Sequence, residues 1–295
     1  MKSNASNEAE RMALDMEFLR SWIGKTETRS DQVTAAPVAL LAATLDREDS
    51  PPRPGDPIPP LWHWLYFLPN QPRSQLGPDG IVQRGGFLPP VPLPRRMYAG
   101  GRLDFRRPLR VGESVSRASR VADVSHKEGR TGSLVFVKVR HEISNHEGLA
   151  LAEEHDIVYR NNPQPGQARP DPQRAPENAA WSRQIRADEA LLFRYSALTF
   201  NGHRIHYDRR YAMEVEGYPG LVVHGPLIAT FLADLLRRNL PDQAVASFAF
   251  RAVRPLFDTA PFTLCGNLEP DGKTARLWSA DSEGFLAMEA TATLA

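Results

Sequence analysis

The order of predicted secondary-structure elements repeats on either side of a proline-rich segment. Residues 161–179 (NNPQPGQARPDPQRAPENA) contain five prolines and no apolar period, which is typical of a linker. Before it, an apolar helix over residues 37–45 precedes four strand-like stretches, at 97–105, 113–124, 133–143 and 149–159. After it, a helix precedes four more, at 245–256, 262–268, 275–280 and 285–294. The pattern predicts an α+β chain that uses a helix and an antiparallel sheet twice, with residues 10–160 and 180–295 as domains.

The helix of the second half carries the clearest pattern. Its apolar residues recur with a period of about 3.6 and form one broad face: Leu227, Ile228, Phe231, Leu232, Leu235 and Leu236. Pro226 suits the first helical position because its missing N–H costs nothing there. The backbone N–H groups around Gly225 therefore lie at a helix N-terminus, where they can receive a carbonyl oxygen that gains negative charge.

Three of the eight histidines, His203, His206 and His224, fall within a stretch of 22 residues that ends at this helix. Asn201 precedes them, and Asp208 can cap a short helical turn that follows. An unperturbed histidine has a pKa near 6.5, so it can accept and return a proton close to neutral pH. A histidine-rich loop is more often a hydrogen-bonded connection than a catalytic centre, so the pattern alone leaves both interpretations open.

The stretch resembles the signature loop of the MaoC-like, or R-specific, enoyl-thioester hydratases and dehydratases. That signature has the form Ser-Gly-Asp-x-Asn-Pro-Ile-His, followed by a short helix with Tyr-Ala and by His-Gly at the start of a long helix. Residues 199–206 read TFNGHRIH, and Tyr211 with Ala212 and His224 with Gly225 follow in register.

The chain departs from that signature at several positions, and three of them concern polar residues of the loop. Asn201 replaces the family's catalytic aspartate, and His203 and Arg204 replace its Asn-Pro. The departures resemble a sub-branch, the two-domain hydroxyacyl-thioester dehydratases of type 2, which includes hydratases of mesaconyl-C4-CoA and itaconyl-CoA. The resemblance extends into the first half through residues 62–67 (WHWLYF) and 94–101 (PRRMYAGG).

The resemblance implies a double hot-dog fold, in which each half is a curved antiparallel sheet wrapped around a central helix. It implies that the C-terminal half carries the catalytic loop, while the N-terminal half is non-catalytic and shapes the acyl pocket. The implied activity is that of a hydro-lyase, the reversible hydration of a 2-enoyl-CoA thioester with a short branched C4–C5 acyl group.

The implied chemistry gives each residue of the loop a role. His206 is expected to act as base and acid, Asn201 to hold the water, and the Gly225 N–H to bind the thioester oxygen. An amide cannot act as a base, but it can orient water through its oxygen and its nitrogen. Four further residues are candidates for substrate binding: Arg204, His203, His224 and Tyr195. Arg204 either binds a carboxylate of a diacid thioester or pairs with an acidic neighbour.

Other functions stay open on the same fold. One is a 3-hydroxyacyl-ACP dehydratase of fatty-acid synthesis, which would need a carrier protein. Another is a non-catalytic acyl-thioester-binding protein, an interpretation that the replacement of aspartate by Asn201 keeps open. A third is a thioesterase, which would release free CoA.

Composition argues against several other classes. With 36 basic and 35 acidic residues the net charge is +1, which gives no reason to expect binding to nucleic acid or to an anionic membrane. The single cysteine excludes an internal disulfide and a multi-cysteine zinc site, and the histidine spacing matches no standard metal motif. No apolar run approaches the ~18 residues of a membrane span, and the N-terminus has no signal-peptide core. We therefore expect a cytoplasmic enzyme without metal or cofactor, either a monomer or a homodimer.

Overall fold

The structure is a computed structural model that describes residues 14–129, 132–162 and 171–295. Within these residues ten extended segments form strands. They are β1 (Thr26–Gln32), β2 (Arg95–Phe105), β3 (Ser114–Gly129), β4 (Gly132–Asn145), β5 (Gly148–Arg160), β6 (Trp181–Ile185), β7 (Val245–Ala252), β8 (Phe262–Leu268), β9 (Thr274–Ala280) and β10 (Leu286–Leu294).

The ten strands form one antiparallel sheet in the order β1-β3-β4-β5-β2-β7-β10-β9-β8-β6. The first five strands make one half of the sheet and the last five make the other, and β2 and β7 join the two halves. Strands β3, β4 and β5 follow one another as antiparallel neighbours, and so do β8, β9 and β10. Such neighbours need only short connections, whereas the other five pairings of the sheet join strands that are not consecutive in the chain.

Two glycines allow the halves to meet. Gly100 and Gly101 of β2 pair with Arg251 and Phe250 of β7. A Cβ on Gly100 would overlap the Phe250 carbonyl oxygen, and one on Gly101 would lie 3.0 Å from the Phe250 ring. Side chains at these positions would therefore push β7 away.

Four α-helices of the described residues pack with this sheet. They are α1 (Met16–Arg20), α2 (Ala35–Thr44), α3 (Glu189–Leu198) and α4 (Gly225–Asn239). Helix α4 contacts β6, β8, β9 and β10, and its apolar side chains share one buried core with those of α2. Each half of the sheet thus has a central helix, because only burial of these apolar faces removes them from water.

One charged side chain of α4 is buried. Asp234 is 4% exposed, and its carboxylate accepts hydrogen bonds from Arg47 at 2.6 Å, Arg183 at 3.0 Å and Arg238 at 2.6 Å. Arg47 follows α2 and Arg183 lies in β6, so this cluster of charges links the first half of the chain to the second.

The structure confirms the eight predicted strands and both central helices. Strands β1 and β6 and helix α3 were not predicted. The division into residues 10–160 and 180–295 stays a prediction, since residues 10–13 and, in the linker, 163–170 lie outside the described ranges. In the described part of the chain, no helix combines the length and the apolarity needed to cross a membrane.

Candidate active site

A loop between α3 and α4 carries the predicted site. It contains a 3₁₀ turn (Arg204–His206) and a π-helical turn (Tyr211–Val215). Asp208 accepts a hydrogen bond through Oδ1 from the Tyr211 N–H at 3.0 Å, so it caps the second turn as predicted. The sequence between the two helices thus holds its own shape by local hydrogen bonds.

The N-terminal half braces this loop. The Arg204 N–H donates to the Asp79 carbonyl oxygen at 2.9 Å. Gly80 has φ +81°, and a Cβ there would overlap the Gly202 carbonyl oxygen. The backbone around Gly80 is in direct contact with the backbone around Gly202, so the position of this loop depends on the first half of the chain.

His206 is buried at the end of the 3₁₀ turn. Its Nδ1 lies 2.7 Å from the Val222 carbonyl oxygen, and since a carbonyl can only accept, Nδ1 carries the hydrogen. The Nε2 lone pair is then free to accept a proton, and no residue of the described chain hydrogen-bonds to it. Burial, together with nearby His203, lowers the pKa of His206 to about 3, so the ring is neutral near pH 7.

His224 lies against His206. The two rings stack with their centroids 3.7 Å apart and 19° between their planes. His224 Nε2 lies 2.8 Å from the Ser196 hydroxyl, while its buried Nδ1 has no partner among the described residues. Burial and the two neighbouring histidines lower its pKa well below the usual value. His224 therefore supports the face of His206 and fixes the chain ahead of α4.

Gly225 is the first residue of α4, and Pro226 follows it. Its N–H belongs to the unsatisfied first turn of the helix, where the dipole favours negative charge. A Cβ on Gly225 would lie 3.9 Å from the Tyr98 Cβ. A side chain larger than a methyl group would therefore press on Tyr98 and occupy space beside His224.

Asn201 is half-buried and makes a local turn. Its Oδ1 accepts the His203 N–H at 3.0 Å, and its own N–H donates to the Ser196 carbonyl oxygen at 2.8 Å. The side-chain oxygen thus uses one of its two lone pairs, and the other lone pair and the Nδ2 donors are left for a ligand. The His203 ring lies edge-on to His206, with centroids 5.4 Å apart.

Arg204 turns away from the histidines. Its guanidinium donates to Asp208 at 2.7 Å and to the Pro78 carbonyl oxygen at 3.0 Å, and it lies 4.2 Å from the centroid of the Tyr211 ring. The side chain is 39% exposed. Of the two roles expected for Arg204, the structure shows the pairing with an acidic neighbour, and a role in substrate binding stays a prediction.

Tyr195 is buried behind the site, with its ring 5.0 Å from that of His224. Burial raises the pKa of its hydroxyl well above the usual value, so it is neutral. Tyr195 thus packs behind the site. The structure brings six of the seven candidates together: His206, Asn201, Gly225, His203, His224 and Tyr195.

A buried polar cluster in the first half was not predicted. The Glu153 carboxylate accepts hydrogen bonds from His63 Nε2 at 3.1 Å, Trp64 Nε1 at 3.0 Å and the Tyr98 hydroxyl at 3.4 Å. Tyr98 also stacks on His155, with centroids 3.9 Å apart. Since Tyr98 packs on Gly225, this cluster forms the wall opposite the histidines. Its signals in the sequence were the two segments of the first half that carry the family resemblance, residues 62–67 and 94–101.

The described residues contain no group of three or more His, Cys, Asp or Glu side chains that could hold a metal ion. Cys265 is a free cysteine in β8, and partial burial raises the pKa of its thiol. At the site itself, His206 offers proton transfer, and Gly225 and Asn201 offer hydrogen-bond donors.

The sequence is similar to that of known proteins. A sequence model of the family described as "Hydroxyacyl-thioester dehydratase type 2" matches residues 61–258. The mesaconyl-C(4)-CoA hydratase of Chloroflexus aurantiacus is 47% identical over 274 residues, which cover 93% of this chain and 97% of that protein. The mitochondrial hydroxyacyl-thioester dehydratase type 2 of Schizosaccharomyces pombe is 30% identical over 250 residues, which cover 75% of this chain and 82% of that protein.

A solved structure supports the architecture. A protein of Mycobacterium tuberculosis described as having a double hot-dog fold superposes with a TM-score of 0.58 at 13% identity, over 92% of this chain and 96% of that chain. This confirms the predicted fold, and the family match confirms the predicted class of enzyme, a thioester hydratase or dehydratase. The chain belongs to the hydroxyacyl-thioester dehydratase type 2 family.

Proposed function

We propose that this protein hydrates a 2-enoyl-CoA thioester whose acyl group carries a second, free carboxylate. Mesaconyl-C4-CoA is the first candidate substrate and itaconyl-CoA the second. The observation that carries the proposal is the placement of a neutral, base-competent His206 beside the free end of α4 at Gly225. The identity of 47% with the Chloroflexus hydratase, over nearly the full length of both chains, supports the choice of substrate.

The reaction begins with a proton transfer from water. His206 Nε2 accepts the proton while the water oxygen bonds to C3 of the enoyl group. The electron pair of the double bond moves through C2 to the thioester oxygen, which becomes an enolate. The Gly225 N–H donates to that oxygen, with the dipole of α4 behind it.

The second step returns the proton. The imidazolium of His206 donates its proton to C2, which restores the thioester carbonyl and the neutral histidine. One water is thereby added across the double bond. Because burial makes the imidazolium a strong acid, this return is favourable, and deprotonation of water must accompany formation of the C–O bond.

Asn201 holds the water in this scheme. Its Oδ1 already accepts the His203 N–H, which orients the amide, and Nδ2 donates to the water oxygen. The water then has one proton directed at His206 and one lone pair directed at C3. Asn201 carries no charge and cannot act as a base, so His206 carries out both proton transfers.

A thioesterase fits this site less well. Ser196 and His224 are hydrogen-bonded, as in a serine nucleophile with its base, but Ser196 is buried and no carboxylate of the described residues orients His224. A 3-hydroxyacyl-ACP dehydratase is the second candidate function, because the fission-yeast relative belongs to the same family. It would prefer a long acyl chain on a carrier protein.

The test is a hydration assay with purified protein. Mesaconyl-C4-CoA, itaconyl-CoA and crotonyl-CoA would each be followed by loss of the enoyl absorbance and by the mass of the product. We expect the diacid thioesters to gain one water, and His206→Ala to abolish this. Turnover of crotonyl-CoA alone, of acyl-ACP alone, or release of free CoA would each contradict the proposal. We also propose that the protein acts in the cytoplasm, where CoA esters are used. We propose that it is a monomer or a homodimer, two states that light scattering would distinguish.

A further inference from the structure

Arg96 is a guanidinium that has no ionic partner among the residues that the structure describes. It lies half-buried near the start of β2, and no carboxylate of the described residues pairs with it. Its neighbour Arg95, by contrast, has several partners. The Arg95 guanidinium donates hydrogen bonds to Asn162 at 2.9 Å and to the Tyr218 hydroxyl at 3.2 Å, and it forms an ion pair with Glu216 at 3.6 Å. A cation that is partly removed from water and has no counter-charge costs free energy in the ligand-free protein.

The surroundings of Arg96 are positive. It pairs across the sheet with Tyr159, whose hydroxyl is fully buried and has no hydrogen-bond partner among the described residues. The Arg84 guanidinium lies 5.3 Å from the centre of the same ring, and its own acceptors are three backbone carbonyls. Burial, and then the charge of Arg96, lowers the pKa of Arg84. The charges of Arg84 and Arg96 thus act on each other beside the Tyr159 ring, and Asp79 offsets part of that effect at Arg84.

This region borders the active site. Tyr98, two residues along β2, packs on Gly225 at the start of α4. The loop that carries Arg84 reaches the catalytic loop through the contact between Gly80 and Gly202. Burial and the charge of Arg96 together lower the pKa of His203 to about 4, as a guanidinium close to that ring would.

We propose that Arg96 binds the free carboxylate of a dicarboxylic acyl-CoA and so selects diacid over monoacid thioesters. This inference rests on the proposed function for the identity of the carboxylate. In mesaconyl-C4-CoA the free carboxylate is attached to C3, the carbon that receives water, so its partner must lie beside the catalytic loop. Arg204 is already paired with Asp208, whereas Arg96 has a planar fork that matches a carboxylate and no carboxylate partner among the described residues. The phosphates of CoA are excluded as the ligand because the pantetheine arm keeps them far from C3.

A matched pair of unreactive ligands tests the inference without turnover. Succinyl-CoA and butyryl-CoA have the same chain length and differ by a carboxylate in place of a methyl group. We expect the wild-type protein to bind succinyl-CoA more tightly in calorimetric titrations. Arg96→Gln should lower the affinity for succinyl-CoA by about 30-fold or more, as loss of one partner of a desolvated ion pair does. The affinity for butyryl-CoA should fall by less than about threefold.

Two further variants control for charge and folding. Arg102→Gln removes an exposed guanidinium of the same strand, which pairs with Glu154 and Asp156, and it should leave both affinities unchanged. Arg96→Lys keeps the charge without the fork and should retain part of the preference for succinyl-CoA. Thermal unfolding of each variant shows whether it is folded.

The outcomes separate this inference from the proposed function. An equal loss of affinity for both ligands in Arg96→Gln overturns the inference, and so does a wild-type protein that binds both ligands equally. A protein that hydrates no enoyl-CoA, yet binds succinyl-CoA through Arg96, contradicts the proposed function and upholds the inference.

Discussion

The imidazole rings of His206 and His224 lie face to face, with their centroids 3.7 Å apart. Both rings are buried, and a proton on either would place a charge against the other with little water to screen it. Burial is the main cause that lowers the pKa of both rings and keeps them neutral, and the His206 ring adds to this effect at His224. This arrangement is compatible with a base that accepts a proton only while a bond to substrate forms.

The first prediction concerns the pH dependence of hydration. Because burial lowers the pKa of His206 to about 3, the free enzyme keeps its base deprotonated down to acid pH. We expect kcat/KM to stay nearly constant from pH 8 to about 5, instead of falling below the unperturbed histidine pKa of about 6.5. A bell-shaped or sigmoid profile with a midpoint near 6.5 would show that the active histidine is not buried.

Stability limits the range of that experiment. His141, His155, His203 and His206 all have lowered pKa values in the folded chain, with burial as the largest cause. Their contribution to stability is complete above the unfolded pKa of about 6.5 and is lost progressively as the pH falls toward their folded values. Unfolding curves at each pH are therefore needed beside the initial rates.

The second prediction concerns Asn201. Asn201→Ala removes the acceptor for the His203 N–H and the donor for water, and kcat/KM should fall about 100-fold. Asn201→Asp keeps the acceptor and adds a negative charge near His206. A carboxylate there favours imidazolium, so the acid limb of the pH profile should move toward neutral pH. An unchanged profile in Asn201→Asp would place the side chain too far from His206 to hold its water.

The third prediction concerns the buried carboxylate of Glu153. Burial alone would raise its pKa, but the hydrogen bond from His63 and the nearby histidines hold the pKa at about 2. Glu153→Ala leaves the donors of His63, Trp64 and Tyr98 unpaired and should lower the free energy of unfolding by about 3 kcal/mol at pH 7. The stabilising contribution is present above about pH 4.5 and lost as the pH falls toward 2.

The neighbouring residue supplies the control for that measurement. Glu154 pairs with Lys138 on the half-exposed side of β5, so Glu154→Ala should cost less than about 1 kcal/mol in urea unfolding. Equal losses in the two variants would contradict the special position of Glu153 and of the wall that it forms behind Gly225.

Features encoded locally could be predicted from the sequence. Helix α4 follows from its own apolar period, and the turn after Asp208 follows from a capping side chain three residues away. Strand β1 (TETRSDQ) has no apolar alternation, because it is held at the edge of the sheet by pairing with β3, about 90 residues later. Strand β6 is likewise an edge strand.

The same distinction applies to the site. His203, His206 and His224 are close in sequence, so a motif shows them together. Arg96 and Glu153 come from distant strands, and only closure of the sheet between β2 and β7 brings their strands beside α4. No periodicity or spacing encodes that contact, because it depends on two glycines that let the halves meet.

The last prediction concerns the link between the halves. Asp234 is buried in α4 and accepts hydrogen bonds from Arg47 after α2, Arg183 in β6 and Arg238 in α4 itself. Asp234→Ala would remove the carboxylate that these three arginines share and leave Arg47 with Asp49 as its partner, so the free energy of unfolding should fall by about 3–5 kcal/mol. Glu289→Ala removes the partner of exposed Arg251 and should cost less than about 1 kcal/mol. If chemical unfolding gave similar small changes for both variants, the Asp234 cluster would not hold the two halves together; a large loss for Asp234→Ala alone would identify it as a main tie between them.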